Sequence, residues 1–421
     1  MLRAPLALLQ DVQRERLSAA VSAAAATEPY RSLYAADALD AGRSVSELPI
    51  VDRSVLAAVP FEDRLSSRPR PLLRVGTSGT TGRPLSAGQS REEALFQRVV
   101  LARQLDAQGI PPRARTFVAD VAGQLEDARS TLNGRVVRTR VPASPRSLAD
   151  RIRTARAEVV VGWPSILMEV ADAGEQLRVP WVVTFGEVLH PEWMTSIARA
   201  FGATVLDMYA LREGGHVAWR CPSADGYHVN ADSVLVEIVD DDDRPVPAGV
   251  AGDVVVTNLW NLTTPFVRYR TADRAAILAG PCSCGIVFPR MTQVEGRTDD
   301  WVLTPDGRRV WPFRLGLMTL LGRAFLDAVA RYRVVQQAPD RFLVEVQWTE
   351  GRRDDLAALI EPVYRRVLDA EVHVEVRDVA GFPSTAGRKF HLVERRFDAS
   401  PSGAQPAAAQ QPGQFRVSDS R

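Results

Sequence analysis

The stretch VGTSGTTGRP, Val75 to Pro84, puts three glycines and four hydroxyl side chains into ten residues. Glycine costs about 1 kcal/mol against alanine inside a helix, and serine and threonine compete for backbone hydrogen bonds. The segment is therefore expected as a loop offering N–H and O–H donors, a surface suited to an anion. It is not the Walker type, because its last glycine is followed by Arg83 and Pro84 and the glycine spacing differs. At the other end of the chain stands Lys389, the only lysine against fifty-one arginines. A compact ammonium on a flexible stem and a planar guanidinium fork are not interchangeable, so one retained lysine points to a site where arginine will not serve. The cysteines form a third group. Cys221 and His228 lie in CPSADGYH, and Cys282 and Cys284 in CSCG, so every cysteine falls in one Cys₃His set of the kind that holds a structural Zn²⁺. The C-x-C and C-x₆-H spacings are not those of standard zinc fingers; His216 is an alternative to His228, and three ordinary thiols with a surface histidine are the competing reading. His190, His373 and His391 are isolated, and no G-x-S-x-G is present, which disfavours a hydrolase.

Several elements must position these groups. The 421 residues exceed one typical core of about 100–200, so two domains are expected. Fifty-two basic residues nearly cancel fifty-one acidic ones, with no basic run interleaved with aromatics, which argues against nucleic acid as a partner. No apolar run reaches the roughly 18 residues needed to cross a bilayer. The opening MLRAPLALLQDVQRERL reads as an amphipathic helix, since Asp11 and Arg14 come too soon for a secretory core. No membrane is therefore expected, and three cysteines, which make no disulfide framework, imply a reducing cytoplasmic setting. Residues 1–70 read as helical with extended connectors. From Arg74 to about Val294, strand-like runs (AEVVVGW, VPWVVTFG, ATVLDMYA) alternate with helical patterns such as SREEALFQRVVLARQLDAQ, an α/β arrangement. VLVEIVDDDDRPVPAG and GDVVVTNLW read as antiparallel strands, with Asp240 to Asp243 on a solvated turn. After Arg297 come a hairpin (WVLTPDGRRVW), a helix near Leu315 to Val329, strands YRVVQQ and RFLVEVQW, a helix near Asp354 to Leu368 and the strand EVHVEVRDV, which together make a small α+β module. Beyond Asp398 the Pro, Gln, Ser and Ala bias predicts disorder.

TSGTTGRP resembles the phosphate loop of the adenylate-forming superfamily of acyl-CoA synthetases, aryl-acid ligases and peptide-synthetase adenylation domains. The later landmarks follow in that family's order: FGEVL near Gly186, MYALRE ending at Glu213, RYRTAD ending at Asp273, EGRTDD at Glu295 to Asp300, and STAGRKF. The short N-terminal part and CSCG resemble the phenylacetate-CoA ligase branch. The resemblance, over roughly residues 30 to 396, implies a large α/β domain (1–298) for ATP and acid, a small mobile α+β lid (299–398), and a tail (399–421). It also implies residue roles. Thr77, Ser78, Thr80 and Thr81 line the β- and γ-phosphates, with Gly79 and Gly82 admitting backbone amides, and Arg83 stands where the family usually has lysine. Gly186 and Glu187 contact the nucleotide, Tyr209 packs on adenine, and Glu213 holds Mg²⁺. Asp273 takes the ribose diol, Arg297 reaches ribose or phosphate, and Asp299 is the hinge. Lys389 points at the acyl-phosphate oxygens, with Arg388 the alternative by one residue of alignment. Ala210 and Arg212 depart from the family's glycine and hydroxyl residue, which puts the local backbone and one phosphate contact in question.

The resulting expectation is an AMP-forming ligase. ATP and Mg²⁺ activate a carboxylic acid, and the acyl group passes to a thiol, foremost that of coenzyme A. A carrier protein, an amine, or activation of an oxyanion such as nitrite are alternatives within the class, and a non-catalytic nucleotide-binding relative is the alternative outside it. Trp163, Phe185 and Leu189 suggest an apolar or aromatic acid. A homodimer is among the assemblies the sequence allows.

Overall fold

The computed structural model describes residues 2–34, 45–68, 71–76, 85–120, 136–140, 145–221, 223, 225–294, 302–307, 309–310, 329–348, 355–382 and 393–397. Helix α1 (Leu6–Ala25) opens the chain, followed by the single turn α2 (Tyr30–Leu33) and by α3 (Arg53–Ala58), which Asp52 caps through the Ser54 and Val55 amides. A short hairpin comes next, β1 (Leu73–Gly76) antiparallel to β2 (Ser86–Gln89). Helix α4 (Arg91–Ala107) then leads into β3 (Thr116–Asp120) and β4 (Val136–Arg140).

Three strand–helix units build the centre: α5 (Pro145–Thr154) and β5 (Val159–Gly162), α6 (Pro164–Asp172) and β6 (Trp181–Phe185), α7 (Pro191–Phe201) and β7 (Thr204–Leu211). Proline opens α6 and α7, where its missing N–H costs nothing, and α7 stops at Gly202 with φ of 60°, the left-handed cap that glycine adopts freely. Strands β8 (Gly215–Arg220) and β9 (Tyr227–Val229) turn back antiparallel. Strands β10 (Val234–Val239), β11 (Gly252–Asn258) and β12 (Tyr269–Ala275) form a separate antiparallel sheet. The short pair β13 (Ile277–Leu278) and β14 (Arg290–Met291) joins the edge next to β9.

The main sheet thus has nine strands in the order β13-β14-β9-β8-β7-β6-β5-β3-β4, parallel from β4 to β7 and antiparallel beyond. Neighbouring residues of its central strands feed opposite cores. Val160 and Val182 join α5, α6 and α7 on one face, whereas Val159, Val183 and Leu206 join Leu101 and Leu105 of α4 and Leu9 of α1 on the other. Both faces being covered explains why β5 and β6 read as continuous apolar runs and not as alternating ones. The α/β expectation is borne out.

From Val302 a smaller unit has its own core, sharing no member with those above. It contains the hairpin β15 (Val302–Leu303) and β16 (Arg309–Val310), then β17 (Val329–Ala338), β18 (Arg341–Trp348), α8 (Leu356–Leu368), β19 (His373–Asp378) and β20 (Val393–Arg395). Strand order is β19-β18-β17-β20, and Leu356, Ile360, Tyr364 and Leu368 lie four apart on the buried face of α8. The expected domain boundary near 298, the helix near Leu315 and the tail fall outside the described residues. Among the described residues no helix is long and apolar enough to cross a membrane.

One carboxylate ties α4 to the smaller antiparallel sheet. Ser90 Oγ accepts from the Glu93 amide at 3.1 Å and Glu93 Oε2 accepts from the Ser90 amide at 2.6 Å, a reciprocal cap. Glu93 also accepts from the Leu262 amide at 2.8 Å and from the amide and hydroxyl of Thr263 at 3.0 and 2.7 Å. Removing it strands several donors at once. Glu93→Ala should lower the free energy of unfolding by about 2–4 kcal/mol in urea titrations, and a change below about 0.5 kcal/mol would show that the latch is idle.

Candidate active site

The carboxyl ends of β5, β6 and β7 share one edge of the parallel part of the main sheet, and open α/β sheets bind ligands outside the carboxyl ends of their strands. At the end of β6, Gly186 has φ of 82°, and a Cβ there would lie 3.0 Å from Trp163 Nε1, so glycine is required both by the backbone angle and by the indole. Glu187 accepts from the backbone amide and the hydroxyl of Ser165, each at 3.0 Å, and so tethers the first turn of α6.

Strand β7 carries Tyr209, and Glu213 lies in the turn just beyond it. The Tyr209 hydroxyl donates to Asp273 Oδ2 at 2.7 Å, and the Tyr269 hydroxyl donates to Glu213 Oε1 at 3.2 Å. Tyr269 and Asp273 both belong to β12, so two tyrosine–carboxylate bonds run in opposite senses between β7 with its turn and β12. Both carboxylates are buried. Burial, and then the Asp273 charge, push the Tyr209 phenol well above its ordinary pKa, which keeps it a proton donor. Arg53, at the start of α3, brings a guanidinium nitrogen to 3.9 Å from Glu213. Asn258 donates to the Glu213 carbonyl at 2.7 Å and fixes the turn. Ala272, immediately before Asp273, sits at φ of 63°, an angle disfavoured for a side-chain-bearing residue and one that clusters at functional sites. Ala210 is not among the positive-φ residues, so its place after Tyr209 needs no glycine.

Beneath this layer Asp207 joins three strands. Thr184 of β6 donates to its Oδ1 at 2.5 Å and Tyr227 of β9 to its Oδ2 at 2.7 Å. Burial raises the Asp207 pKa to about 6 despite these donors.

The structure brings together Gly186, Glu187, Tyr209, Glu213 and Asp273 in this region. Thr77, Ser78, Gly79, Thr80, Thr81, Gly82 and Arg83 lie outside the described residues, but the strands on either side pair antiparallel, Gly76 opposite Ser86, so the two ends of that loop meet. Arg297, Asp299, Arg388 and Lys389 also lie outside them. Sequence reading missed Tyr269, Asp207 and Arg53. Tyr269 stood four residues before Asp273 in a landmark already singled out; Arg53, 160 residues from Glu213, left no local signal.

On the far edge of the same sheet, the ligand atoms of Cys221, His228, Cys282 and Cys284 all lie within 4.8 Å of one another. Cys221 Sγ and Cys282 Sγ are 3.6 Å apart, too far for a disulfide and close to the sulfur–sulfur edge of a tetrahedron with metal–sulfur bonds of about 2.3 Å. His228 Nε2 lies 3.2 Å from Cys284 Sγ while its Nδ1 lies 3.2 Å from the Phe288 carbonyl, the arrangement that orients a metal-bound imidazole. His216 is not in the set.

Comparison with known proteins agrees with this geometry. Residues 129–263 match the model of the AMP-binding enzyme family. The chain is 28% identical over 276 residues to phenylacetate-coenzyme A ligase of Thermus thermophilus, covering 62% of this chain and 61% of that one. To the phenylacetate-coenzyme A ligase of Escherichia coli strain K12 it is 29% identical over 264 residues, covering 57% and 58%. It therefore spans about three fifths of the length of these relatives. The fold matches a solved 2-hydroxyisobutyryl-CoA ligase in its postadenylation state with a TM-score of 0.79 at 21% identity, over 94% of this chain and 91% of the other. Against an anthranilate CoA ligase in complex with anthranoyl-AMP the TM-score is 0.58 at 17% identity, over 76% and 64%. The fold is that of adenylate-forming enzymes, and the resemblance to them and to their phenylacetate-CoA ligase branch is borne out.

The Asp207 shift has a measurable consequence. Between its ordinary pKa of 3.8 and its folded value of about 6, the folded state holds a proton that the unfolded chain has lost. Stability from this group is therefore full below about pH 4, falls as pH rises to about 6, and is flat above. Urea unfolding of the protein and of Asp207→Asn, compared from pH 4 to 7, should diverge by up to roughly 3 kcal/mol across that window. Parallel curves would contradict the assignment.

Proposed function

We propose that the chain is an ATP-dependent, AMP-forming ligase that activates a carboxylic acid and transfers it to coenzyme A. The observation that carries this reading is the crossed Tyr209–Asp273 and Tyr269–Glu213 pair at the carboxyl end of β7, with these residues in the order of the family's landmarks. In the first half-reaction a carboxylate oxygen of the acid bonds to the α-phosphorus of ATP. The bond to the β-phosphate oxygen breaks, and pyrophosphate leaves with its electrons. In the second, a thiolate sulfur bonds to the acyl carbon and AMP departs.

Each assignment on this chain follows from charge. Asp273, a carboxylate with two acceptor oxygens, suits the paired hydroxyls of a ribose. Glu213 is a buried carboxylate with an arginine beside it, and it would hold Mg²⁺, which supplies positive charge to phosphate oxygens when bound. The loop from Thr77 to Arg83 would cradle the outer phosphates, with Arg297 on ribose or phosphate. Lys389 would bring its ammonium to the acyl-phosphate oxygens from a mobile lid hinged at Asp299, so that it serves one half-reaction only. The Cys₃His set would hold a structural zinc ion; it has four ligands and no open position. A carrier protein as acceptor and a homodimeric assembly are compatible partners of the same reading.

Exchange of labelled pyrophosphate into ATP, run across a panel of carboxylic acids with the full-length protein, tests the first half-reaction. Exchange that depends on the acid is expected, and none with any acid despite ATP binding would favour a non-catalytic nucleotide-binding module. Lys389→Ala should cut that exchange by about 10² or more while sparing thioester formation from preformed adenylate. Equal loss in both half-reactions would remove its assigned role. Metal analysis of protein purified without chelator should find about one equivalent of zinc, and metal-free protein that keeps its stability would exclude the structural site.

A further inference from the structure

The segment NLWNLTT begins on the last residue of β11 and places Asn258, Asn261 and Thr264 three apart, all of them buried. Asn258 Oδ1 accepts from the amides of Trp260 and Asn261 at 3.0 and 2.9 Å, and Asn261 Oδ1 accepts from the Thr264 amide at 3.0 Å. Each asparagine thus holds the backbone three residues further on, a ladder in which side-chain carbonyls do the work of backbone ones. The residues between are held from α4, where Glu93 takes the Leu262 and Thr263 amides.

The ladder's remaining side-chain groups reach out in two directions. Asn258 Nδ2 donates to the Glu213 carbonyl at 2.7 Å. Asn261 Nδ2 donates to the Gly88 carbonyl at 3.1 Å, and Thr264 Oγ1 accepts from the Gly88 amide at 2.8 Å. Gly88 lies on β2, which among the described residues pairs with β1 alone. A two-stranded hairpin by itself is marginal in water. Here side chains satisfy the outer side of β2 where a third strand would lie: Arg64 donates to the Ser86 carbonyl at 2.8 Å, and Asn261 with Thr264 takes both backbone groups of Gly88. Every polar side-chain atom of Asn258, Asn261 and Thr264 has a partner. A buried network satisfied throughout is rigid, because any shift breaks a bond that water cannot replace.

We propose that Asn258, Asn261 and Thr264 are positioning residues that fix the distance between the base of the β1–β2 hairpin and Glu213. This rests on the ligase reading above and deepens it. In that reading the stretch from Thr77 to Arg83, between β1 and β2, takes the outer phosphates of ATP, while Glu213 holds Mg²⁺. Expulsion of pyrophosphate needs both at once on neighbouring phosphates, and a misplacement of about 1 Å in such a site costs on the order of 10²-fold in rate. AMP carries no outer phosphates, and transfer from the adenylate to a thiol follows the departure of pyrophosphate. The ladder therefore serves the first half-reaction and not the second.

Thr264→Val and Asn261→Leu remove bonds to Gly88 and leave the bond from Asn258 to Glu213 in place. Three measurements on the full-length proteins test the proposal: pyrophosphate exchange with the acid that supports it fastest, AMP binding by titration calorimetry, and thioester formation from the preformed adenylate of that acid. Each variant should lose about tenfold or more in kcat/KM for ATP in exchange, with AMP affinity and the thioester rate within about twofold of the unsubstituted protein. Thr264→Ser keeps the acceptor and should hold exchange within about threefold of the unsubstituted protein. Exchange unaltered in either of the first two variants would overturn the positioning role and leave the ligase reading standing. Loss of AMP binding and thioester formation in the same proportion as exchange would also overturn it, since a weakened fold reduces all three alike. No exchange by the unsubstituted protein with any acid would bring down the ligase reading and this inference with it.

Discussion

Two tyrosine hydroxyls hold the two carboxylates on which the site depends. Tyr209 of the parallel sheet donates to Asp273 of the antiparallel sheet, and Tyr269 of the antiparallel sheet donates to Glu213 at the end of the parallel one. Buried carboxylates are costly unless hydrogen-bonded, so each sheet stabilises the acid of the other. The exchange also sets distance and orientation: neither acid can shift without breaking a bond that crosses between sheets. The remaining constraints serve this one. Asn258 and the Glu93 latch fix the turn and loop on either side, and Asp207 ties β6 and β9 to the strand beneath Tyr209.

The nucleotide site proposed here must be rigid where the nucleotide lies and movable where it closes. The buried layer between β7 and β12 meets the first need. The chain from Val302 on has a core of its own, with Leu356, Ile360, Tyr364 and Leu368 packed on a four-stranded sheet, as the proposed lid requires. The Cys₃His cluster fastens the β8–β9 turn to the segment around Cys282 and Cys284, at the edge of the main sheet away from the crossed tyrosines.

Much of this was legible from residue patterns because the relevant forces are local. Continuous valine runs gave β5 and β6, the helical pattern SREEALFQRVVLARQLDAQ gave α4, and the Pro-Asp-Gly turn gave the β15–β16 hairpin. The pairing of Cys221 and His228 with Cys282 and Cys284 followed from counting, since no other cysteines exist. What was not legible depends on tertiary contact. Nothing near Arg53 shows that it will meet Glu213, and the hydroxyls of Tyr209 and Tyr269 find their acceptors only once two sheets are assembled.

The central claim is that a carboxylate oxygen becomes bonded to the α-phosphorus of a nucleotide held between Glu213 and Asp273. Incubation with ATP, coenzyme A and an acid carrying ¹⁸O in its carboxylate, followed by mass analysis of the products, follows that bond atom by atom. The account requires one ¹⁸O in AMP and none in pyrophosphate. Unlabelled AMP, or label recovered in a phosphate other than AMP, would contradict it.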